Sequence, residues 1–325
     1  MLTSSQDEYK TACTIPDSQA QDNAANFTSP TPETGITIGK YQDCLPIAEG
    51  VTSQVYRSNN HALKVITTHR AMEPHNPQRE IKILNTLKPP CIPLLETFLD
   101  HEKQMVLVFP YMPLTLDALL HDRTTPLPAA QVATIFKDVL QALVDIHSQG
   151  IIHRDIKPSA ILLSSPTGPA HLSDFGTAWH PTLSARSEPA EDKILDIGTG
   201  AYRAPEVLFV DKAYDTAVDM WGLGVMLAEA ISSPPRPPFE SRAVHEDGNQ
   251  LGLILSVFKT LGTPTTETWP EAQSFKVSPF ELWTTFPARS WQDILPEADG
   301  QFRDVVSRTV RYSQRATAKE VSDRF

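Results

Sequence analysis

The stretch that decides the fold is His153-Arg154-Asp155-Ile156-Lys157-Pro158, followed nineteen residues after Asp155 by Asp174-Phe175-Gly176. Ahead of it runs one apolar stripe at helical spacing, Val132, Ile135, Phe136, Val139, Leu140, Leu143 and Ile146, closing at Gly150. Further upstream the period changes. Short runs rich in β-branched and aromatic residues, Tyr41–Ile47, Gln54–Arg57, Ala62–Thr67, Leu94–Leu99 and Met105–Phe109, predict strands. A helix is expected between the third and fourth, over about Pro77–Leu87. Strands first and helices afterwards predict an α+β, bilobal chain: a small β-rich lobe over 39–112 and a larger helical lobe over 113–325, joined near Pro110–Pro113. Residues 1–38 are rich in Ser, Thr, Gln, Asn and Pro without a sustained period, and are expected to form a disordered tail. Ser29-Pro30 and Thr31-Pro32 in that tail are candidate proline-directed phosphosites, although such dipeptides are common in this composition.

Composition narrows the function classes. With 28 Lys and Arg against 39 Asp and Glu the chain carries −11, which repels nucleic acid and anionic membrane surfaces. Neither nucleic acid nor membrane is therefore expected as a partner. Three scattered cysteines, Cys13, Cys44 and Cys91, do not make a disulfide framework or a metal cage. Reduced thiols and the lack of an 18-residue apolar run fit a protein of the cytoplasm or nucleus. The 14 Gly stand against 28 Pro, the reverse of average usage at about 7 % and 5 %. Phosphate-cradling loops are the place where such a shortage matters.

The two motifs, in this order and at this spacing, resemble the catalytic loop and metal loop of eukaryotic protein kinases. Five further elements fall in order: Lys64 in Ala62-Leu63-Lys64, Glu80 on the next helix, Ala204-Pro205-Glu206, Asp219 before Met220-Trp221-Gly222, and Arg315. The resemblance covers about Lys40 to Phe325 and implies ATP and Mg²⁺ as cofactors and protein as substrate. Phosphoryl transfer asks for positioning and charge neutralisation more than covalent chemistry. The resemblance accordingly implies that Lys64 holds phosphates, Glu80 fixes its ammonium and Asp174 holds the metal. It further implies that Asp155 accepts the substrate hydroxyl proton, with Lys157 and Thr199 beside it. Ile47, Ala48, Gly50, Val55 and Ala62, together with the hinge residues Phe109, Tyr111 and Met112, would line the nucleotide. Glu206 with Arg315, and Asp219, match structural positions of the family.

The pattern is broken in places. Of three loop glycines only Gly50 remains, with Ala48 and Ser53 at the others. Ala160 occupies the place of the second metal ligand, so reduced catalysis and a scaffold without phosphotransfer both stand as readings. The segment from Gln250 through Thr260-Leu261-Gly262-Thr263-Pro264 to Trp269-Pro270 is similar to the cyclin-dependent kinase branch. Within that branch Gln78 replaces the cyclin anchor, Ile194 stands at the activating phosphosite, Trp179 replaces one of three phosphate-binding arginines, and Gly198 replaces the valine of the proline pocket. Arg79 and Arg154 survive. The acids Glu188, Glu191, Asp192 and Asp196 either partner them in place of phosphate or belong to a solvated loop. Such a chain is similar to single-subunit fungal kinases that activate cyclin-dependent kinases, implying a monomer, doubtful cyclin dependence and cyclin-dependent kinases as substrates. Pro234-Pro235-Arg236-Pro237-Pro238 is a minor candidate for a polyproline ligand.

Overall fold

A strand of alternating character sets the geometry of the small lobe. In β4 (His61–Ile66), Leu63 and Val65 point to one face and join Ile38, Cys44, Val106 and Val108 in an apolar cluster. Lys64 must then face the other way, where its register partner Leu107 and Ile66 enter the larger core with Ile83 and Leu84. The computed structural model describes residues 35–68, 72–121, 123–240, 250–281 and 284–324. Around β4 the sheet is antiparallel throughout, in the order β1 (Ile36–Ile38), β2 (Tyr41–Glu49), β3 (Ser53–Ser58), β4, β6 (Met105–Pro110), β5 (Glu96–Leu99).

Helix α1 (Pro77–Leu84) crosses between β4 and β5. Its start is written in Asn76-Pro77: the Asn76 side chain accepts the Arg79 N–H at 3.0 Å, and proline fills the first position, where no N–H is needed. It stops at Leu84, three residues earlier than expected, because Asn85 caps it and the Thr86 hydroxyl takes the Ile83 carbonyl at 2.8 Å. A second departure concerns the tail. Ile36–Ile38 pair with β2 and Ile38 is buried, so the ordered lobe begins inside the stretch expected to be tail. A three-residue strand is too short to show a period. The candidate phosphosites Ser29 and Thr31, and Cys13, lie outside the described residues.

The large lobe begins with β7 (Leu114–Thr115) and α2 (Leu116–Leu120), then α3 (Ala129–Ser148), whose buried face is the stripe named above. β8 (Ile161–Leu163) and β9 (Ala170–Leu172) form a hairpin that β7 extends to three strands. After α4 (Pro205–Leu208), α5 (Ala217–Ile231) is buried almost all round. Its two glycines permit this: a Cβ at Gly222 would lie 2.7 Å from the Ile156 carbonyl oxygen, and one at Gly224 would overlap Thr309. Peripheral helices follow as α6 (Gln250–Leu261), α7 (Trp291–Ile294), α8 (Gly300–Thr309) and α9 (Ala318–Ser322). The polyproline run is turned around Ser232, whose hydroxyl contacts the Pro234 and Arg236 carbonyls, and ends with Phe239 buried against Trp221. It does not stand free as an extended ligand. No helix among the described residues is long and apolar enough to cross a membrane.

Candidate active site

The β8–β9 hairpin explains the nineteen-residue spacing, because Asp155 precedes β8, Asp174 follows β9, and the paired strands fix the distance between them. Across the cleft, Lys64 Nζ lies 2.8 Å from Glu80 Oε1 and 3.1 Å from Asp174 Oδ1. Strand parity aims the lysine, and α1 brings Glu80 to it. Burial disfavours the ammonium, but Glu80 and Asp174 outweigh it and raise the Lys64 pKa. The Lys64 ammonium in turn holds the Asp174 carboxyl well below the usual range. Gly176 leaves room over this triad: a Cβ there would touch Lys64 Nζ at 3.4 Å and Glu80 Oε2 at 3.5 Å. The Gly176 carbonyl also accepts the Asn76 N–H at 3.1 Å, tying the start of α1 to the metal loop.

The catalytic loop is braced from α5. Asp219, 1 % exposed in the first turn of that helix, accepts the Arg154 N–H and the His153 N–H at 2.8 Å each, and contacts His147 Nε2 at 2.9 Å. These bonds hold Arg154 at φ 74°, a left-handed backbone that a bulky residue adopts only under constraint. Asp155 is thereby presented with Lys157 Nζ at 2.6 Å and Thr199 Oγ1 at 2.7 Å, the latter also accepting from Lys157 at 2.9 Å. The three residues read from sequence as one group are one group in space.

The remaining residues expected to line a nucleotide fall around β2, β3, β4 and the hinge. Ile47 and Ala48 are exposed at the end of β2, where Ala48 pairs with Val55, and Gly50 is exposed in the β2–β3 turn, where its N–H meets the Ser53 carbonyl at 2.8 Å. A Cβ at Gly50 would meet only ordinary contacts, so the turn survives the loss of its neighbouring glycines. Ala62 pairs with Phe109; the Tyr111 N–H donates to Asn60, Tyr111 lies under Arg57, and Met112 Sδ accepts from Ser164. Ala160 is buried, and its carbonyl takes both the N–H and the hydroxyl of Ser173. No three carboxylate, His or Cys side chains among the described residues converge as a metal cage. A divalent ion here would rest on Asp174 with nucleotide phosphates and water, a set Mg²⁺ accepts.

Of the acidic run, only Glu188 reaches the two surviving arginines. It is fully buried and pairs with Arg154 through two bonds, 2.6 and 3.1 Å, with Arg79 Nη1 at 3.6 Å. Asp192 instead pairs with Lys212, Asp196 lies 3.9 Å from Arg203, and Glu191 is exposed. Gly198 has φ 73° with Arg203 crowding its Cα and bonding its carbonyl, so no side chain can shape a pocket there. Gln78 lies on the exposed side of α1. Glu206 and Arg315 form the expected buried pair. Sequence reasoning missed Glu73, which takes the other side of Arg79 at 2.9 Å, Lys193, which lies over Trp179 and Tyr214, and Tyr214, which accepts from Arg154. Only Asn76 carried a local signal, its capping position before proline. The cavity of about 500 Å³ beside Trp291 and Tyr312 contains none of these residues.

Residues 41–324 match the protein kinase domain. Among curated proteins the chain is similar to the serine/threonine-protein kinase csk1 of Schizosaccharomyces pombe, 33 % identical over 87 % of this chain and 92 % of that protein. It is also similar to the serine/threonine-protein kinase CAK1 of Saccharomyces cerevisiae, 28 % identical over 73 % of this chain and 78 % of that protein. The cell division control protein 2 homolog 2 of Trypanosoma brucei brucei is 30 % identical over 87 % and 81 %. These relatives support phosphoryl transfer over a scaffold without it. A domain match over residues 41–324, over an assembled lysine, glutamate and aspartate triad, makes the conclusion plain: the chain belongs to the protein kinase family, on its serine/threonine side.

Proposed function

We propose that this kinase phosphorylates the activation-segment threonine of cyclin-dependent kinases, acting as a single subunit with Mg²⁺ and ATP in the cytoplasm or nucleus. As a protein kinase it uses ATP and a divalent metal and acts on protein. The finer reading rests on one observation: Lys64 and Glu80 are 2.8 Å apart in a chain that has Gln78 where a cyclin would anchor and Ile194 where a phosphate would be added. A helix that needed a partner to bring its glutamate inward would have no reason to close alone. The likeness to csk1 and CAK1, both serine/threonine-protein kinases, supports a serine or threonine hydroxyl as the phosphate acceptor. Lys64 would bind phosphates, Asp174 the metal, and Asp155 would take the proton of the attacking hydroxyl while Lys157 neutralises charge on the transferred group.

The test is transfer of labelled γ-phosphate from Mg·ATP to a purified cyclin-dependent kinase and to its activation-loop Thr→Ala form. The expected result is label on the threonine form only, abolished by Asp155→Asn and independent of added cyclin. Label on neither form by the wild-type chain would refute the substrate assignment.

A further inference from the structure

We propose that Glu188 is a permanent internal substitute for an activating phosphate, a positioning residue that holds the activation segment, the catalytic loop and α1 in register. This rests on the kinase reading but concerns how the site is held rather than what it acts on.

Four groups converge on this one residue, and a fifth closes the ring around it. Arg154, one residue before Asp155, donates from both terminal guanidinium nitrogens, Nη1 and Nη2, to the carboxylate. Arg79, one residue before Glu80, lies 3.6 Å away. The Ile194 N–H donates to Oε1 at 2.9 Å, so the position that cannot be phosphorylated is fastened by its backbone instead. Trp179 Nε1 donates to the Glu188 carbonyl at 3.0 Å. Tyr214 closes the ring, accepting from Arg154 and donating to the Ile194 carbonyl at 2.6 Å.

The charges balance without phosphate. Two guanidinium groups, Arg79 and Arg154, face two carboxylates, Glu73 and Glu188, so these four charges cancel. A phosphate dianion would call for another cation. At the place of the third arginine, Trp179 offers a ring face to Lys193, whose Nζ lies 4.9 Å from its centroid and is further held by the Tyr214 carbonyl at 2.8 Å. Burial works against the Glu188 charge, but Arg154, the Ile194 N–H and Arg79 outweigh it and keep the carboxyl ionised below its usual range. The device is therefore set by translation and not by a second enzyme.

The experiment uses the full chain after phosphatase treatment, with Glu188→Gln, Glu188→Asp and Glu191→Gln compared for amide hydrogen exchange over residues 188–203 and for kcat and KM. Loss of a charged, buried hydrogen-bonded pair predicts that Glu188→Gln exchanges about tenfold faster there and loses about tenfold or more in kcat. The ATP KM should stay within about threefold, the mark of lost positioning and not lost binding. Glu188→Asp, which keeps the charge on a shorter stem, should fall between, and Glu191→Gln should match wild type. Wild-type exchange in Glu188→Gln, or a phosphatase-treated wild type that drops to the Glu188→Gln rate, overturns the proposal. If Glu188→Gln does not fold, Glu188→Asp decides, since unchanged exchange in it is equally fatal. A wild type without any transfer would sink the kinase reading, while the exchange data would still judge Glu188.

Discussion

Replacing Asp219 with Asn is a nearly isosteric change that tests whether the catalytic loop is held by α5. The carboxylate accepts from two backbone N–H groups, Arg154 on Oδ1 and His153 on Oδ2, and is 1 % exposed. An amide has one acceptor oxygen, so in either orientation one N–H of the loop faces an NH₂ donor. A buried donor left unpaired costs about 1–3 kcal/mol, and exchanging an ionised acceptor for a neutral one weakens the surviving bonds, giving about 2–4 kcal/mol in all. For a domain of this size that is a fall in Tm of roughly 3–7 °C. The kinetic effect should exceed the thermal one. Arg154 sits at φ 74°, and without its restraint it relaxes and moves the adjacent Asp155. A displacement of about 1 Å at the reacting group costs roughly a hundredfold in rate. Scanning calorimetry and initial-rate assays at saturating ATP, well below the variant's Tm, measure both. Asp219→Asn that melts within about 1 °C of wild type and keeps most of its kcat would refute the bracing role.

Other variants probe the rest of the site. Ala160→Asn should raise the rate and lower the Mg²⁺ concentration needed for half-maximal activity, while equal Mg²⁺ titrations would show that one metal ligand suffices. Lys64→Met strands the buried Glu80 carboxylate and should cost about 3–5 kcal/mol by urea unfolding, and Lys64→Met with Glu80→Gln should be milder than Lys64→Met alone. Glu229 is half-buried and accepts the Tyr202 hydroxyl, and desolvation pushes its carboxyl up to about 7 from a usual 4.5. A carboxyl with a raised folded pKa favours the folded state most in acid, below its unfolded value. That stability, at most about 3 kcal/mol, should drain away as pH rises from about 4.5 to about 7, and Glu229→Gln should flatten the decline in a melting series. Gly222→Ala puts a methyl 2.7 Å from the Ile156 carbonyl and should destabilise by about 1–3 kcal/mol, with kcat falling as the loop is pushed.

How much of this was legible beforehand depends on the range of the interaction. The α3 stripe is a local period and points to the buried helix face directly, whereas the β4 run reads only as a strand and the aim of Lys64 emerges from the sheet it joins. Resemblance supplied Asp155, Lys157 and Thr199 as a group, although Thr199 is more than forty residues away and nothing local joins them. The short β1 and β7–β9 strands carry too few residues for a period to show. The choice of Glu188 among four acids was not legible at all. Burial decides it: its side chain is enclosed between Arg154 and Arg79, whereas Asp192 points to Lys212 at the surface. A charged residue in a loop gives no sign in sequence of whether water or an arginine will face it.

The β8–β9 hairpin also insulates the catalytic spacing from the length of the chain. Its turn, closed by the Ser165 hydroxyl on the Gly168 carbonyl and by the Gly168 N–H on the Ser165 carbonyl, exposes Pro166 and Thr167 to solvent. Residues added there would lengthen the loop without altering the ladder of Ile161 with Leu172 and Leu163 with Ala170, so Asp155 and Asp174 would keep their places. A peptide tag or a fluorescent-label site for following this enzyme belongs at that turn, at a loop-closure cost that grows only with the logarithm of its length.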